Sequence, residues 1–291
     1  MVNDTYPNET MKLLCERASC RSFREEAVPD ETLDAVLTAA TCAATGGNLQ
    51  PYSVIKVLDV QARQRLMTLC GDQAFIGKAP VSLVFCIDFN RLERWAALEK
   101  APFSARRAFR HFWISFQDVV ICAQTVCTAA NAMGLGAVYV GTVLECLKEL
   151  RDLLKLPEGV FPVVMVCLGY PRGQLVPKRK LGVDVVVHDG VYREMTDEEL
   201  LRAYDEKYGG QTFEATPERV DSIARACREV HGDDYAEEFL ARVKQDGHLN
   251  MAQRMFGLNY PADEMPRRNR CIMSAARNAG LDWFDQGSEE Q

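Results

Sequence analysis

Histidine is scarce in this 291-residue chain: there are 4, at His111, His188, His231 and His248, and none stands in H-E-x-x-H or a comparable ligand spacing. A catalytic metal held by protein ligands is therefore not expected. The 11 cysteines, an odd number, include no C-x-x-C pair and are scattered through apolar segments. That pattern excludes a disulfide framework and a zinc ribbon, and reads as buried thiols in a reducing cytoplasm. Basic residues are outnumbered, 34 against 41 acids, for a formal net charge of -7. A nucleic-acid partner, which calls for a basic excess, is not expected. No apolar run of transmembrane length is free of charge, and the N-terminal Met-Val-Asn-Asp-Thr-Tyr-Pro lacks a signal-peptide pattern, so no membrane partner is expected either. Missing too are the P-loop G-x-x-x-x-G-K-[ST] and the esterase element G-x-S-x-G. The sequence holds no repeat and no low-complexity tract.

What is present is ample core material: 47% of residues are hydrophobic and 26% charged, enough for one large domain with or without an appendage. The reading centres on Gly134-Leu-Gly-Ala-Val-Tyr-Val-Gly141. An apolar helix is expected from Trp113 to Met133, with Phe116, Val119, Val120, Ala123, Val126, Cys127 and Ala130 at helical spacing. Its few polar residues predict burial nearly all round. Gly134 stands where a helix end favours a left-handed residue. Ala137–Val140 then reads as a short buried strand. Read alone, this is a plain core helix and strand. The flanking glycines also allow backbone amides to approach a flat ligand. The glycines Gly134-x-Gly136 precede a strand and lack the third glycine of G-x-G-x-x-G, so a dinucleotide fold is poorly matched.

Along the rest of the chain, helices are expected at Thr10–Glu16, after Pro29, at Arg63–Cys70, through Asn90–Phe112, at Leu144–Leu154 and at Asp197–Tyr208. Strands are expected at Ser53–Leu58, Ala79–Asp88, Phe161–Pro171 and Val183–His188. The run Val81–Ile87 is apolar enough for a strand covered on both faces. Two basic clusters stand out. Arg17-Ala-Ser-Cys-Arg21-Ser-Phe-Arg24 combines guanidinium forks with hydroxyls, a set that can hold an anion or form a solvated turn. Val176-Pro-Lys-Arg-Lys-Leu181 reads, by itself, as an exposed charge run. The loop Thr45-Gly-Gly-Asn-Leu-Gln-Pro51 is either a simple connection or a set of amides facing a heterocycle. After Gly209-Gly210 the composition shifts to charged helix, broken at Pro261 and Pro266.

The order of these pieces resembles the nitroreductase family of FMN-dependent oxidoreductases. Arg17-x-Ser19-x-Arg21-x-Phe23, Thr45-Gly-Gly-Asn-Leu-Gln50-Pro51, Asp118-Val-Val-Ile-Cys-Ala-Gln124, Gly134-Leu-Gly136 and Leu168-Gly-Tyr-Pro171 match in register. Gly71-Asp-Gln73, Phe85-Cys-Ile-Asp-Phe-Asn-Arg91, Leu153-Leu-Lys-Leu-Pro157 and Val187-His188 look like its oxygen-insensitive NADPH nitroreductase and flavin reductase branch. The resemblance covers roughly residues 10 to 208.

It implies an α+β fold, with a central mostly antiparallel sheet flanked by helices. Residues 1–210 would form the FMN-binding domain and 211–291 an extra helical C-terminal extension. It further implies a homodimer with FMN at the interface and NADPH or NADH as donor. The acceptor would be a nitroaromatic, a quinone or free flavin, reduced by a ping-pong mechanism. By the same resemblance Arg17, Ser19, Arg21, Lys178 and Lys180 hold the phosphate and ribityl chain. Lys180 departs from the family's usual arginine and lacks the bidentate fork, so Arg179 is an alternative. Ala18 stands where the branch often has a second basic residue. Gln73 corresponds to a contact at the flavin ring edge. Thr45, Gly47, Asn48 and Gln50 correspond to a loop reaching the flavin across the dimer interface. Val140, Gly141 and Thr142 correspond to backbone facing the central ring. No side chain is assigned to the chemistry, which lies on the cofactor. Dehalogenation or flavin fragmentation on the same fold stays open, as does a flavin-binding regulatory protein with little turnover. The extension is open to a reading as an interaction module.

Overall fold

The computed structural model describes residues 6–283. The chain forms two units, one made of residues up to Pro177 together with the stretch from Ile272, the other of Lys178–Cys271. In the first, α1 (Glu9–Glu16) is capped by the Asn8 side chain, which accepts from the Met11 amide. Helix α2 (Asp30–Thr41) starts after Pro29 with acids in its first turn, as expected from the helix dipole. A 3-10 turn at Gly46–Asn48 leads into β1 (Tyr52–Val57). Helices α3 (Val60–Leu69) and α4 (Ala74–Lys78) precede β2 (Val81–Asp88). Helix α5 (Phe89–Leu98) ends before Pro102, and a 3-10 turn at Ala105–Arg107 separates it from the next helix. The continuous helix expected through Asn90–Phe112 is therefore broken, by a proline that cannot donate to the ladder. Helix α6 (Phe109–Ala132), β3 (Gly136–Val140), α7 (Leu147–Leu154) and β4 (Val160–Gly169) complete the unit before the chain leaves it.

The four strands form one antiparallel sheet in the order β1-β2-β4-β3. Every residue of β2 is buried, which is why its sequence shows no alternation. Its side chains divide between two cores. Leu83, Phe85 and Ile87 join α2 and α6 residues such as Leu33, Val36 and Val126. Val84 and Cys86 join Leu66, Ile76 and Leu150 from α3, α4 and α7. Each such fully buried aliphatic or aromatic side chain is worth about 1.5–3 kcal/mol over exposure.

Helix α6 corrects one expectation. By length and composition it matches a membrane span, yet it lies over the sheet with Asp118, Val119, Cys122, Ala123 and Val126 buried. It is not buried all round: Phe109, Trp113, Phe116, Val120 and Ile121 are exposed. Apolar content measured how greasy the helix is, not how many neighbours one chain supplies.

The second unit opens with α8 (Val183–Val186), a single turn where a strand was expected. Val183, Val186 and Val187 are exposed and pair with no strand, so β propensity alone does not form one. Helix α9 (Asp197–Tyr208) starts with a capping box from Thr196 and Glu199 and ends at Gly209. Gly209 and Gly210, where the composition shifts, are both left-handed, with φ of 61° and 63°, and lie inside this unit. Helices α10 (Pro217–His231) and α11 (Asp233–Asp246) pack around Ile223, Phe239, Val243 and Leu249. Helix α12 (Met251–Arg254) runs into a π turn, and Pro261 and Pro266 follow as breaks. Helix α13 (Asn269–Asn278) ends this unit and carries the chain back to the first, where Ala276, Ala279 and Leu281 are buried.

Candidate functional site

The segment after α1 is docked on the outer edge of β3. Ser19 bridges Ala137 in parallel, and the Cys20 amide donates to the Ala137 carbonyl at 3.0 Å. Further along, the Arg24 amide donates to Tyr170 at 2.9 Å and Arg172 to Ser22 at 3.0 Å. Gly136 permits this docking: a Cβ there would lie 2.5 Å from Cys20 Cβ. The glycines of the central motif thus have separate tasks. Gly134, at φ 76°, closes α6 as expected. Gly136 admits the Cys20 side chain. At Gly141 a Cβ would meet nothing within 4 Å, so the backbone faces open space.

Docking sets the two arginines. Arg17 is half-buried, and its Nε and Nη2 are shielded from solvent without a hydrogen-bond partner. Its guanidinium lies over the Tyr139 ring at 5.8 Å, and Tyr139 donates to Gln124 Oε1 at 3.3 Å. Arg21 is exposed and lies over the Phe75 ring at 5.9 Å. Neither arginine forms a salt bridge among the described residues. A buried guanidinium with idle N–H groups carries a desolvation penalty that an anion would remove. Arg21 also lines a cleft of about 770 Å³ with Arg63, Phe75 and Lys78.

Gln73, Gly141 and Thr142 meet at the end of β3. Gln73 Nε2 donates to the Cys70 carbonyl at 2.8 Å and to Thr142 Oγ1 at 2.9 Å. Thr142 Oγ1 donates in turn to the Cys70 carbonyl at 3.2 Å. Val140 is buried at 2% exposure and anchors the turn from below. Within one chain, then, Arg17, Ser19, Arg21, Gln73, Val140, Gly141 and Thr142 belong to one set of elements: the docked strip, β3, the turn after it, and α4.

The loop Thr45–Gln50 does not join them within the chain. It enters β1 at Tyr52, which pairs with Ile87, whereas Ala137 pairs with Leu168 and Leu168 with Val81, at the other end of the sheet. Gly47, Asn48 and Gln50 adopt left-handed φ of 60°, 55° and 48°. The Gly46 amide donates to both carboxylate oxygens of Asp118 at 3.1 and 3.2 Å. Gln50 Nε2 donates to the Thr41 carbonyl at 3.1 Å, and Arg91 Nη2 to the Gln50 carbonyl at 2.6 Å.

Lys178 and Lys180 open the second unit and are exposed. Arg179, the alternative to Lys180, donates to Glu206 Oε2 at 3.2 Å within that unit. All 11 cysteines are unpaired; Cys20, Cys70, Cys86, Cys122, Cys127, Cys146 and Cys167 are buried, while Cys15, Cys42 and Cys271 are exposed. Burial pushes the Cys86 thiol up to about 12 and those of Cys122 and Cys167 up to about 11. No group of three or more potential metal ligands occurs among the described residues.

Comparison with known proteins decides the family. Residues 14–170 match the profile of the Nitroreductase family. The chain is 34% identical over 198 residues to the oxygen-insensitive NADPH nitroreductase of Salmonella typhimurium, covering 68% of this chain and 80% of that one. Identity to the FMN reductase [NAD(P)H] of Bacillus subtilis is 34% over 206 residues, 69% of this chain and 81% of that one. The chain belongs to the nitroreductase family. The solved structure of NfrA2 from B. megaterium superposes with a TM-score of 0.71 at 26% identity, covering 96% of this chain and all of that one, 100%. The part from Lys178 onward therefore has a counterpart in that nitroreductase-fold structure.

Three residues that line the candidate site were given no role there from sequence. Tyr139 and Phe75, under the two arginines, look like ordinary core aromatics in sequence. Asp118 had a detectable signal: it is the one acid between Arg110 and Glu145. A lone carboxylate on an apolar helix needs a donor, and here it is the Gly46 amide.

Proposed function

We propose that this chain is an FMN-dependent oxidoreductase that passes two electrons from NADPH or NADH to an electron-poor small molecule, such as a nitroaromatic, a quinone or free flavin. The observation that carries the reading is Arg17: two buried N–H groups without a partner, on a strip docked beside β3. The relatives named for FMN and NAD(P)H support the same cofactors here. The residues fit an FMN phosphate, since Arg17 offers idle donors and Arg21 has no carboxylate partner. Arg17, Ser19 and Arg21 would hold the phosphate, with Lys178 and Lys180 adding charge. Gly141, open above its backbone, and Thr142 would face the flat ring system, and Gln73 would meet its edge. FMN supplies the two-electron chemistry when bound. Protein groups then bind, orient and stabilise negative charge on the ring through positive side chains and oriented amides. Donor and acceptor would use one open site in turn, which makes the kinetics ping-pong.

The exposed apolar face of α6 supports a homodimer, and the Thr45–Gln50 loop would then complete the partner's site. In this reading residues 1–210 form the FMN-binding part and 211–291 a helical extension. The test is the absorption spectrum of the purified protein, with release of FMN on denaturation, followed by NADPH oxidation in the presence of 1,4-benzoquinone. A colourless protein that does not take up FMN would falsify the reading.

A further inference from the structure

Asp118 is 4% exposed on the sheet-facing side of α6. Its carboxylate accepts the Gly46 amide with both oxygens, and no cation pairs with it among the described residues. Burial raises this carboxyl above the usual carboxylate range, opposed by the Gly46 bond. An ionised group so placed works against stability at neutral pH. Its benefit must lie elsewhere, and the loop it holds shows where. Three of the four residues from Gly47 to Gln50 are left-handed, two of them not glycine. Such backbone persists only when the surroundings over-determine it. Four ties do so: Gln50 with Thr45, Gln50 with Thr41, Arg91 with Gln50, and Asp118 with Gly46. Only the last reaches α6, the helix that also leads through Gly134 into β3 and Gly141. Gly46 leaves little room to move, since a Cβ there would sit 3.1 Å from Ile114 Cγ2.

We propose that Asp118 is a positioning residue that fixes the Thr45–Gln50 loop on the same helix that feeds β3, and so sets the loop's contact with the flavin. This rests on the reading above that the loop belongs to the FMN site. One helix would then fix two parts of the cofactor site, its own β3 turn and the loop offered to the partner.

The test uses full-length wild type, Asp118→Asn, Asp118→Leu and, as a probe of the loop itself, Asn48→Gly, which removes a side chain without straining a left-handed position. Amide hydrogen exchange of Gly46–Gln50 is measured on FMN-free protein, FMN affinity by flavin fluorescence, and melting temperature at pH 8 and pH 5. In Asp118→Leu the loop amides should exchange about tenfold faster while the sheet is unchanged. FMN should bind about tenfold more weakly, a shift of ~1.4 kcal/mol. Asp118→Asn keeps an acceptor oxygen and should fall between. Because the folded-state carboxyl is raised, its stabilising protonated form is present at low pH and lost as pH rises through the raised value. Asp118→Asn should therefore melt no lower than wild type at pH 8, and the difference should be no larger at pH 5. Unchanged exchange in Asp118→Leu overturns the anchoring. Faster exchange with wild-type FMN affinity, while Asn48→Gly loses affinity, overturns the positioning role. A melting temperature that falls at pH 8 in both Asp118 variants, in step with affinity, makes the residue merely structural. If Asn48→Gly also binds FMN normally, the loop is not part of the flavin site and the reading beneath the proposal fails first.

Discussion

The chain's two basic clusters carry similar charge and differ in everything that makes charge useful. Arg17 is held on a docked strip, half-buried, with two donors idle and an aromatic ring beneath it. Lys178, Arg179 and Lys180 are exposed, and Arg179 is engaged by Glu206. Coulomb attraction between exposed groups is weak and screened, whereas a shielded guanidinium with unmet donors gains fully from an anion. The contrast teaches that a cation is made ready for an anion by what buries and aims it, here the missing Cβ of Gly136, rather than by the cation count.

The largest effect should come from removing that docking. Gly136→Ala places a Cβ 2.5 Å from Cys20 Cβ, so the strip must shift. Overpacking of this kind costs about 1–3 kcal/mol. The variant should melt lower and lose FMN together with the strip, as read by calorimetry and flavin release. A variant as stable and as yellow as wild type would show that the strip does not depend on this glycine.

Next in size is Arg17→Ala. Loss of a charge-assisted bond is worth about 1.5–3 kcal/mol, or roughly tenfold to a hundredfold in FMN affinity. Arg21→Ala should weaken binding less, because Arg21 is exposed. Riboflavin, which lacks the phosphate, should bind all three proteins alike. Equal loss of both ligands would move Arg17 from the phosphate to the fold.

How much of this was legible in sequence follows from where each constraint lives. Strands β2 and β4 were read because burial on both faces leaves nearly uninterrupted apolar runs, as in Val81–Ile87. The helical character after Gly210 was read from its charged composition, but the break at Gly232 between α10 and α11 was not. The turn at Val183 was not, because valines favour a strand only where a neighbouring strand exists. The site was legible as a list and not as a geometry. Arg17 and Arg21 stand four residues apart, yet one is shielded and the other exposed, and that depends on Gly136 more than a hundred positions away. Asn48 and Gln50 have left-handed backbone that their identities only weakly favour, so the loop's shape is set by Asp118 and Arg91 from other elements.

The second cluster should respond less. Lys178→Ala/Lys180→Ala is expected to lower FMN affinity by about fivefold, since exposed ion pairs contribute only about 0.5 kcal/mol each. The loss should vanish in high salt. A loss larger than that of Arg17→Ala, persisting at high salt, would reverse the ranking of the clusters.

The smallest effect concerns Cys20, and it reports on the docked strip without touching its charge. Cys20 sits between Arg17 and Arg21, fully buried, with its thiol donating to the Ser22 carbonyl at 3.3 Å. Burial pushes that thiol above its usual range, so little thiolate forms at neutral pH. Cys15, two residues before Arg17, is exposed. Alkylation of the native protein should therefore label Cys15, Cys42 and Cys271 with turnover nearly unchanged. Cys20 should react at least roughly tenfold more slowly, limited by local opening of the strip. In Gly136→Ala the two rates should converge, because the side chain that fills the glycine gap has been expelled. If Cys20 stays protected there, the strip tolerates the extra methyl and Arg17 keeps its place. If Cys20 reacts as fast as Cys15 in wild type, the strip is undocked in solution, and the difference between the two basic clusters disappears with it.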